Sequence, residues 1–169
     1  MRFHSAHIDN LRKLYIDQIE HLLSAENQMV EALPKMLVAA TEPELKRVLQ
    51  DHLQETREQV SRLEQITQQS TSRPEAKKNK AMDALIEEGN DMISDAKNDS
   101  VRDVVIIAAC QRIEHYEIAA YSSVCNFAEI VGETDQSALL GKSLEEEERA
   151  EAALTAIAKG ANTRADRAA

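Results

Sequence analysis

Residues 101–132 read VRDVVIIAACQRIEHYEIAAYSSVCNFAEIVG. Val104, Ile107, Ala108, Ile118, Tyr121 and Cys125 recur every three or four positions, the spacing of one face of an α-helix. The stretch predicts a helix over about Val101 to Val131, ended by Gly132, which accepts the left-handed backbone that terminates helices. Gln111 and Glu114 lie on the same apolar stripe, with His115 and Glu117 flanking it. A carboxylate on a stripe bound for a core is the informative exception, because ionisable side chains are rarely buried without partners.

The rest of the chain repeats this pattern. Leu11, Leu14, Ile19, Leu22, Met29, Leu33 and Leu37 predict a first helix from near Ser5 to Asp9 to about Ala40, capped by Ser5 or Asp9. Pro34 lies within it and is expected to kink it. Thr41 or Glu42 should cap a second helix, from about Pro43 to Gln69. The polar run Gln68 to Arg73 before Pro74 then opens a connection, within which Met82, Leu85, Ile86, Met92 and Ile93 predict a shorter helix from Lys80 to Ala96. Asn98-Asp99-Ser100 supplies the next break and cap. A last helix is expected from about Thr134 to Lys159, with Gly160 as its stop and a frayed tail over 161–169.

Four long helices and one shorter one, with no strand pattern, define an all-α fold in a single domain spanning 1–169, its helical core over 5–160. Short connections make helices one and two, and the last two, antiparallel. The long middle connection must cross the bundle. This is a ferritin-like four-helix bundle with an additional helix in the crossover between bundle helices 2 and 3.

Composition agrees and narrows the function. Aromatic residues are 3% of the 169, Trp is absent, and the formal charge is −10 with a pI near 5.0. The core is therefore aliphatic, and nucleic acids and anionic membranes are poor partners for so acidic a chain. No apolar run approaches the roughly 20 residues of a membrane span, and MRFHSAHIDN lacks the apolar segment of a secretory signal, so the expectation is a cytoplasmic protein. Cys110 and Cys125 fall in one helix about 22 Å apart, too far for a disulfide, and are expected as reduced core residues.

Every long helix places ionisable groups on its stripe. Glu26 falls among Leu22, Met29 and Leu33. The second helix reads Leu45, Val48, Leu49, His52, Glu55, Gln59, Leu63 and Ile66, so His52 and Glu55 stand one turn apart. On the last helix Leu140, Leu144, Leu154 and Ala158 select Glu147 from the acidic run, with Glu151 second. Four inward carboxylates and a histidine could not stay ionised and empty, whereas two divalent metals would neutralise them. Oxygen-rich ligation with one imidazole suits iron or manganese better than structural zinc. The competing reading is a solvated face, since 30 acidic residues put some near any stripe. It is preferred for Glu145, Glu146 and Glu148. His115 suits a supporting role; Met29, Met36 and Met92 suit the core. Tyr116 and Tyr121 suit packing with a bonded hydroxyl.

The segments SAENQMVEALPKM, HLQETREQVSRLEQ, AMDALIEEGNDMI, VRDVVIIAACQRIEHYEIAAYSSV and SLEEEERAEAALTAIA resemble consecutive blocks of the YciE/YciF-type stress-associated family, over about Leu11 to Ala158. That family is similar in fold to rubrerythrin and ferritin. The resemblance implies metal ligation by the Glu of SAE, the His and Glu of HLxET, both Glu of EHYE and a Glu of the fourth helix. Here these are Glu26, His52, Glu55, Glu114, Glu117 and Glu147, which promotes Glu117 from the flank. The second helix carries His-x-x-Glu where ferritin and rubrerythrin carry Glu-x-x-His, and Glu147 is followed three residues on by Ala150, so the set is richer in carboxylate.

These readings lead to a di-metal protein, di-iron before di-manganese, that reacts with oxygen or peroxide, with Glu55 and Glu147 bridging. Electrons would come from an unknown donor, because the chain has no rubredoxin-like cysteine cluster. The alternative is a non-catalytic helical metal-binding or interaction module induced by stress. Storage in a hollow shell would need many copies, and a homodimer is expected instead.

Overall fold

The computed structural model describes residues 8–70 and 77–167. Its elements are α1 (Leu11–Ala39), α2 (Pro43–Ser70), α3 (Lys80–Asp95), α4 (Asp99–Ile130) and α5 (Thr134–Arg167), with no strand among the described residues. α1 packs on α2 and α4, and α5 packs on α4 and α2, closing a four-helix square against which α3 lies beside α4 and α1. One apolar cluster joins the C-terminal half of α1 to the N-terminal halves of α2 and α4 and the C-terminal half of α5, through Met29, Leu33, Leu49, Ile106, Ile113 and Leu154. A second joins the opposite ends through Tyr15, Ile19, Leu63, Tyr121, Val124 and Leu140. Neighbouring helices of the square are therefore all antiparallel. The chain leaves α2 at the second cluster and re-enters α4 at the first, the crossover expected of a ferritin-like bundle.

Local chemistry sets the helix ends. Asn10, not Ser5 or Asp9, caps α1, its side chain accepting from the Lys13 amide. Asp9 is one residue too early and instead pairs with Lys13 Nζ at 2.8 Å; Ser5 lies outside the described residues. α1 runs through Pro34 to Ala39. The α1–α2 turn is capped from a distant helix: Asp103 of α4, buried, accepts from the Thr41 amide at 2.7 Å, the Thr41 hydroxyl at 2.6 Å and the Glu42 amide at 3.0 Å. Asn79 and Asn98 cap α3 and α4. Gly132 has φ +84° and ends α4 as expected.

Gly160 does not end the last helix. α5 continues to Arg167, so the expected frayed tail is helical to that point. The reason is tertiary: Ala161 is 3% exposed against the first apolar cluster, and Arg164 reaches Glu42 at 2.9 Å. Gly89 is needed for space, because a Cβ there would stand 3.1 Å from the Ala109 Cβ where α3 meets α4. Met29 and Met36 are core residues, but Met92 is exposed, because α3 covers only one side of the bundle.

Candidate metal centre

Between the two apolar clusters each helix of the square carries polar residues inward. On α1 it is Glu26, between Leu22 and Met29; on α2 they are His52, Thr56 and Gln59; on α4 they are Glu114 and Glu117; on α5 they are Glu146 and Glu147. Glu26, Glu114, Glu117 and Glu147 are at most 1% exposed, and His52 is 4% exposed. Glu117 is as deeply buried as Glu114 because α4 turns Cys110, Ile113, Glu117 and Val124 inward, a face rotated from the stripe expected from the sequence.

One ligand atom each from His52, Glu114, Glu117 and Glu147 lies within 4.8 Å of the others. His52 Nε2 approaches Glu114 Oε1 to 3.2 Å. Even so, both ring nitrogens, both oxygens of Glu114 and of Glu117, and Oε2 of Glu147 lack a hydrogen-bond partner of proper geometry. Buried polar atoms are nearly always bonded, so a convergent set of orphans implies a missing partner. Three carboxylates and one imidazole fit a hard or borderline divalent cation.

The electrostatics agree. Burial, reinforced by the charge of Glu147, holds the Glu26 and Glu114 carboxyls well above the ordinary carboxylate range. Burial together with Glu26, Glu147 and Glu114 does the same to Glu117. Such carboxyls keep protons until a cation replaces them. Glu26 is steadied by the Tyr121 hydroxyl, which donates to its Oε1 at 2.7 Å. Gln59 Nε2 donates to Glu147 Oε1 and fixes that side chain toward the cluster. Tyr116 is also bonded, its hydroxyl accepting from Asn79 at 2.7 Å.

Glu55 is not among the gathered groups. Its side chain is 31% exposed and stands 3.4 Å from Arg149 of α5, while Thr56 and Gln59 turn inward on α2. Burial raises its carboxyl above the ordinary range, with Arg149 opposing. His115 is 69% exposed and faces Glu151 at 3.8 Å, away from the cluster. Glu146, expected on a solvated face, is 3% exposed and is held by Arg62, whose Nη2 donates to its Oε1 at 2.7 Å. Arg62 also donates to Ser143 Oγ at 2.9 Å. Opposite charges on the inner sides of two helices were the only signal for this pair, and the register that joins them is not readable from either helix alone. Cys110 is buried and Cys125 half-buried, both as free thiols.

A family model described as a domain of unknown function (DUF892) matches residues 10–166. The chain belongs to that family. It is 37% identical over 150 residues to Protein YciF of Escherichia coli K12, covering 88% of this chain and 90% of that protein. The crystal structure of YciF, described as an E. coli stress protein, superposes with a TM-score of 0.87 at 33% identity, over 92% of this chain and 98% of that one. YcfI from Rhodopseudomonas palustris, a protein of proposed structural role, superposes with a TM-score of 0.86 at 34% identity, over 90% and 98%. The YciE/YciF-type resemblance of the sequence is borne out along nearly the whole domain. Among the described residues no helix is long and apolar enough to cross a membrane.

Proposed function

We propose that this protein binds two divalent metal ions, iron before manganese, in a carboxylate-bridged centre, and that the loaded centre reacts with oxygen or peroxide. The observation that carries the reading is the set of unbonded atoms on His52, Glu114, Glu117 and Glu147, buried and mutually within 4.8 Å. These four suffice for one ion. A second is called for by charge, since Glu26 feels both Glu147 and the buried cluster and adds a fourth carboxylate. Bound iron would supply the redox chemistry toward oxygen or peroxide.

The chain's own contribution is orientation and exclusion of water. Gln59 keeps Glu147 in one rotamer, and Tyr121 keeps Glu26 in another while leaving a phenolic proton beside the cluster. The apolar clusters close both ends of the bundle interior, and the ligand side chains between them are at most 4% exposed. The likeness to a stress protein supports a stress-associated role, with cytoplasmic residence and a homodimer as parts of the same proposal. Subcellular fractionation and light scattering test those two.

The direct test is metal analysis after anaerobic loading with ferrous iron and dialysis, wild type beside Glu114→Ala and Glu147→Ala. About two metals per chain are expected in the wild type, as in di-metal carboxylate bundles. Both variants should lose them while keeping their helicity. Equal metal content in all three would remove the centre and leave a helical interaction module as the better account.

A further inference from the structure

Beside the buried cluster, between α2 and α5, lies a pocket of about 140 Å³ whose lining includes His52, Glu55, Arg149 and Ala153. It is open to solvent, with Arg47 and Asp51 also on its rim. At about 30 Å³ per water it has room for roughly four or five waters, enough for a small cation that still carries part of its hydration shell. His52 lines it while being 4% exposed, and both ring nitrogens lack a hydrogen-bond partner. The same imidazole therefore faces the pocket and belongs to the four-residue cluster. The hollow along the first turn of α3 and the groove between α4 and α5 touch none of those four residues.

We propose that a divalent cation reaches the buried cluster through this pocket, Glu55 being the first ligand it meets and His52 the group to which Glu55 passes it. The proposal rests on the metal-centre reading and adds the route. Glu55 and His52 are one helical turn apart on α2, so their side chains rise along one face. The Glu55 partner, Arg149, is 60% exposed and stands 3.4 Å away, a loose cover that a doubly charged ion can displace. Arg47 is matched in turn by Asp51 at 3.1 Å. Each guanidinium on the rim thus has a carboxylate, and the chain's formal charge of −10 draws cations toward the mouth.

The arrangement also explains why a carboxylate on the ligand-bearing stripe of α2 lies outside the gathered set. Its place is at the mouth. Cobalt(II) alone is the probe, because its visible absorption intensifies when it leaves water for a protein site. Stopped-flow mixing gives the uptake rate and titration gives the final Co2+ per chain, for wild type, Glu55→Gln, Ala153→Leu, Arg149→Ala and the surface control Glu145→Gln. Glu55→Gln and Ala153→Leu should each slow uptake by about tenfold or more without lowering the final stoichiometry, one by removing the relay and one by narrowing the pocket. Arg149→Ala should quicken uptake, and Glu145→Gln should leave it unchanged. Circular dichroism checks Ala153→Leu for lost helicity, in which case Glu55→Gln alone decides.

An unchanged rate in Glu55→Gln overturns the route while leaving the metal centre intact. A lowered stoichiometry in Glu55→Gln overturns it in favour of Glu55 as a resident ligand. A wild-type protein that takes up no cobalt removes the metal centre and the route together.

Discussion

Glu117→Gln separates the cost of the centre from its use. Glu117 is 1% exposed, neither of its oxygens is bonded, and burial with the neighbouring Glu26, Glu147 and Glu114 raises its carboxyl well above the ordinary 4.5. Below pH 4.5 this carboxyl is protonated in both the folded and unfolded chains and costs nothing by ionisation. As pH rises past 4.5 the unfolded carboxyl ionises while the folded one keeps its proton, so the folded state binds more protons and stability falls. The loss is about 1.4 kcal/mol per pH unit, continuing until the folded carboxyl itself ionises. An amide of the same shape escapes that loss. For a chain of this size about 1 kcal/mol moves the melting temperature by roughly 2–4 °C. In chelator, the variant should therefore match wild type near pH 4 and melt higher by about 3–6 °C for each pH unit above 4.5 over which the wild-type carboxyl stays protonated. With ferrous or manganous ion at a thousandfold excess over Kd the order at pH 7 should reverse, because that excess stabilises wild type by about 4.1 kcal/mol, more than the roughly 3.5 kcal/mol lost over the roughly 2.5 pH units above 4.5, and stabilises the variant much less. Thermal melts followed by circular dichroism, in chelator and in metal, read both signs. A variant less stable than wild type in chelator, by the same margin at pH 4 and pH 7, would refute the reasoning and make Glu117 an ordinary structural residue.

Arg62→Ala leaves buried Glu146 with only the exposed Lys142 ammonium, 3.9 Å away, and should cost about 3 kcal/mol in urea unfolding, whereas Arg62→Met together with Glu146→Leu should recover most of that loss. Gly160→Ala should raise stability by about 0.5–1 kcal/mol, since Gly160 lies inside α5 and its added methyl would meet only Arg164 Nη1, at 3.4 Å and so in ordinary van der Waals contact. Lower stability in that variant would show that α5 ends at Gly160 after all. Asp103→Ala removes three bonds to the α1–α2 turn and should cost about 2 kcal/mol or more, with amide exchange at Thr41 and Glu42 rising more than elsewhere.

The sequence by itself determined the five helices and the bundle, because the apolar period of each helix and the break residues Thr41 to Pro43, Asn98 to Ser100 and Gly132 are local signals that tertiary structure did not override. It also marked Glu26, His52, Glu114 and Glu147, which interrupt those stripes with charge. Family resemblance, rather than period, raised Glu117, since a carboxylate one position off a stripe could face either way until the rotation of α4 against its neighbours is set. Only the tertiary structure decided that rotation, the exposure of Glu55, and the burial of Glu146 against Arg62. Each depends on how two helices meet, on crossing and register that no single helix encodes. Gly160 carries the same lesson: a glycine is a stop only where nothing beyond it packs, and Ala161 and Arg164 find partners in the first cluster and at Glu42.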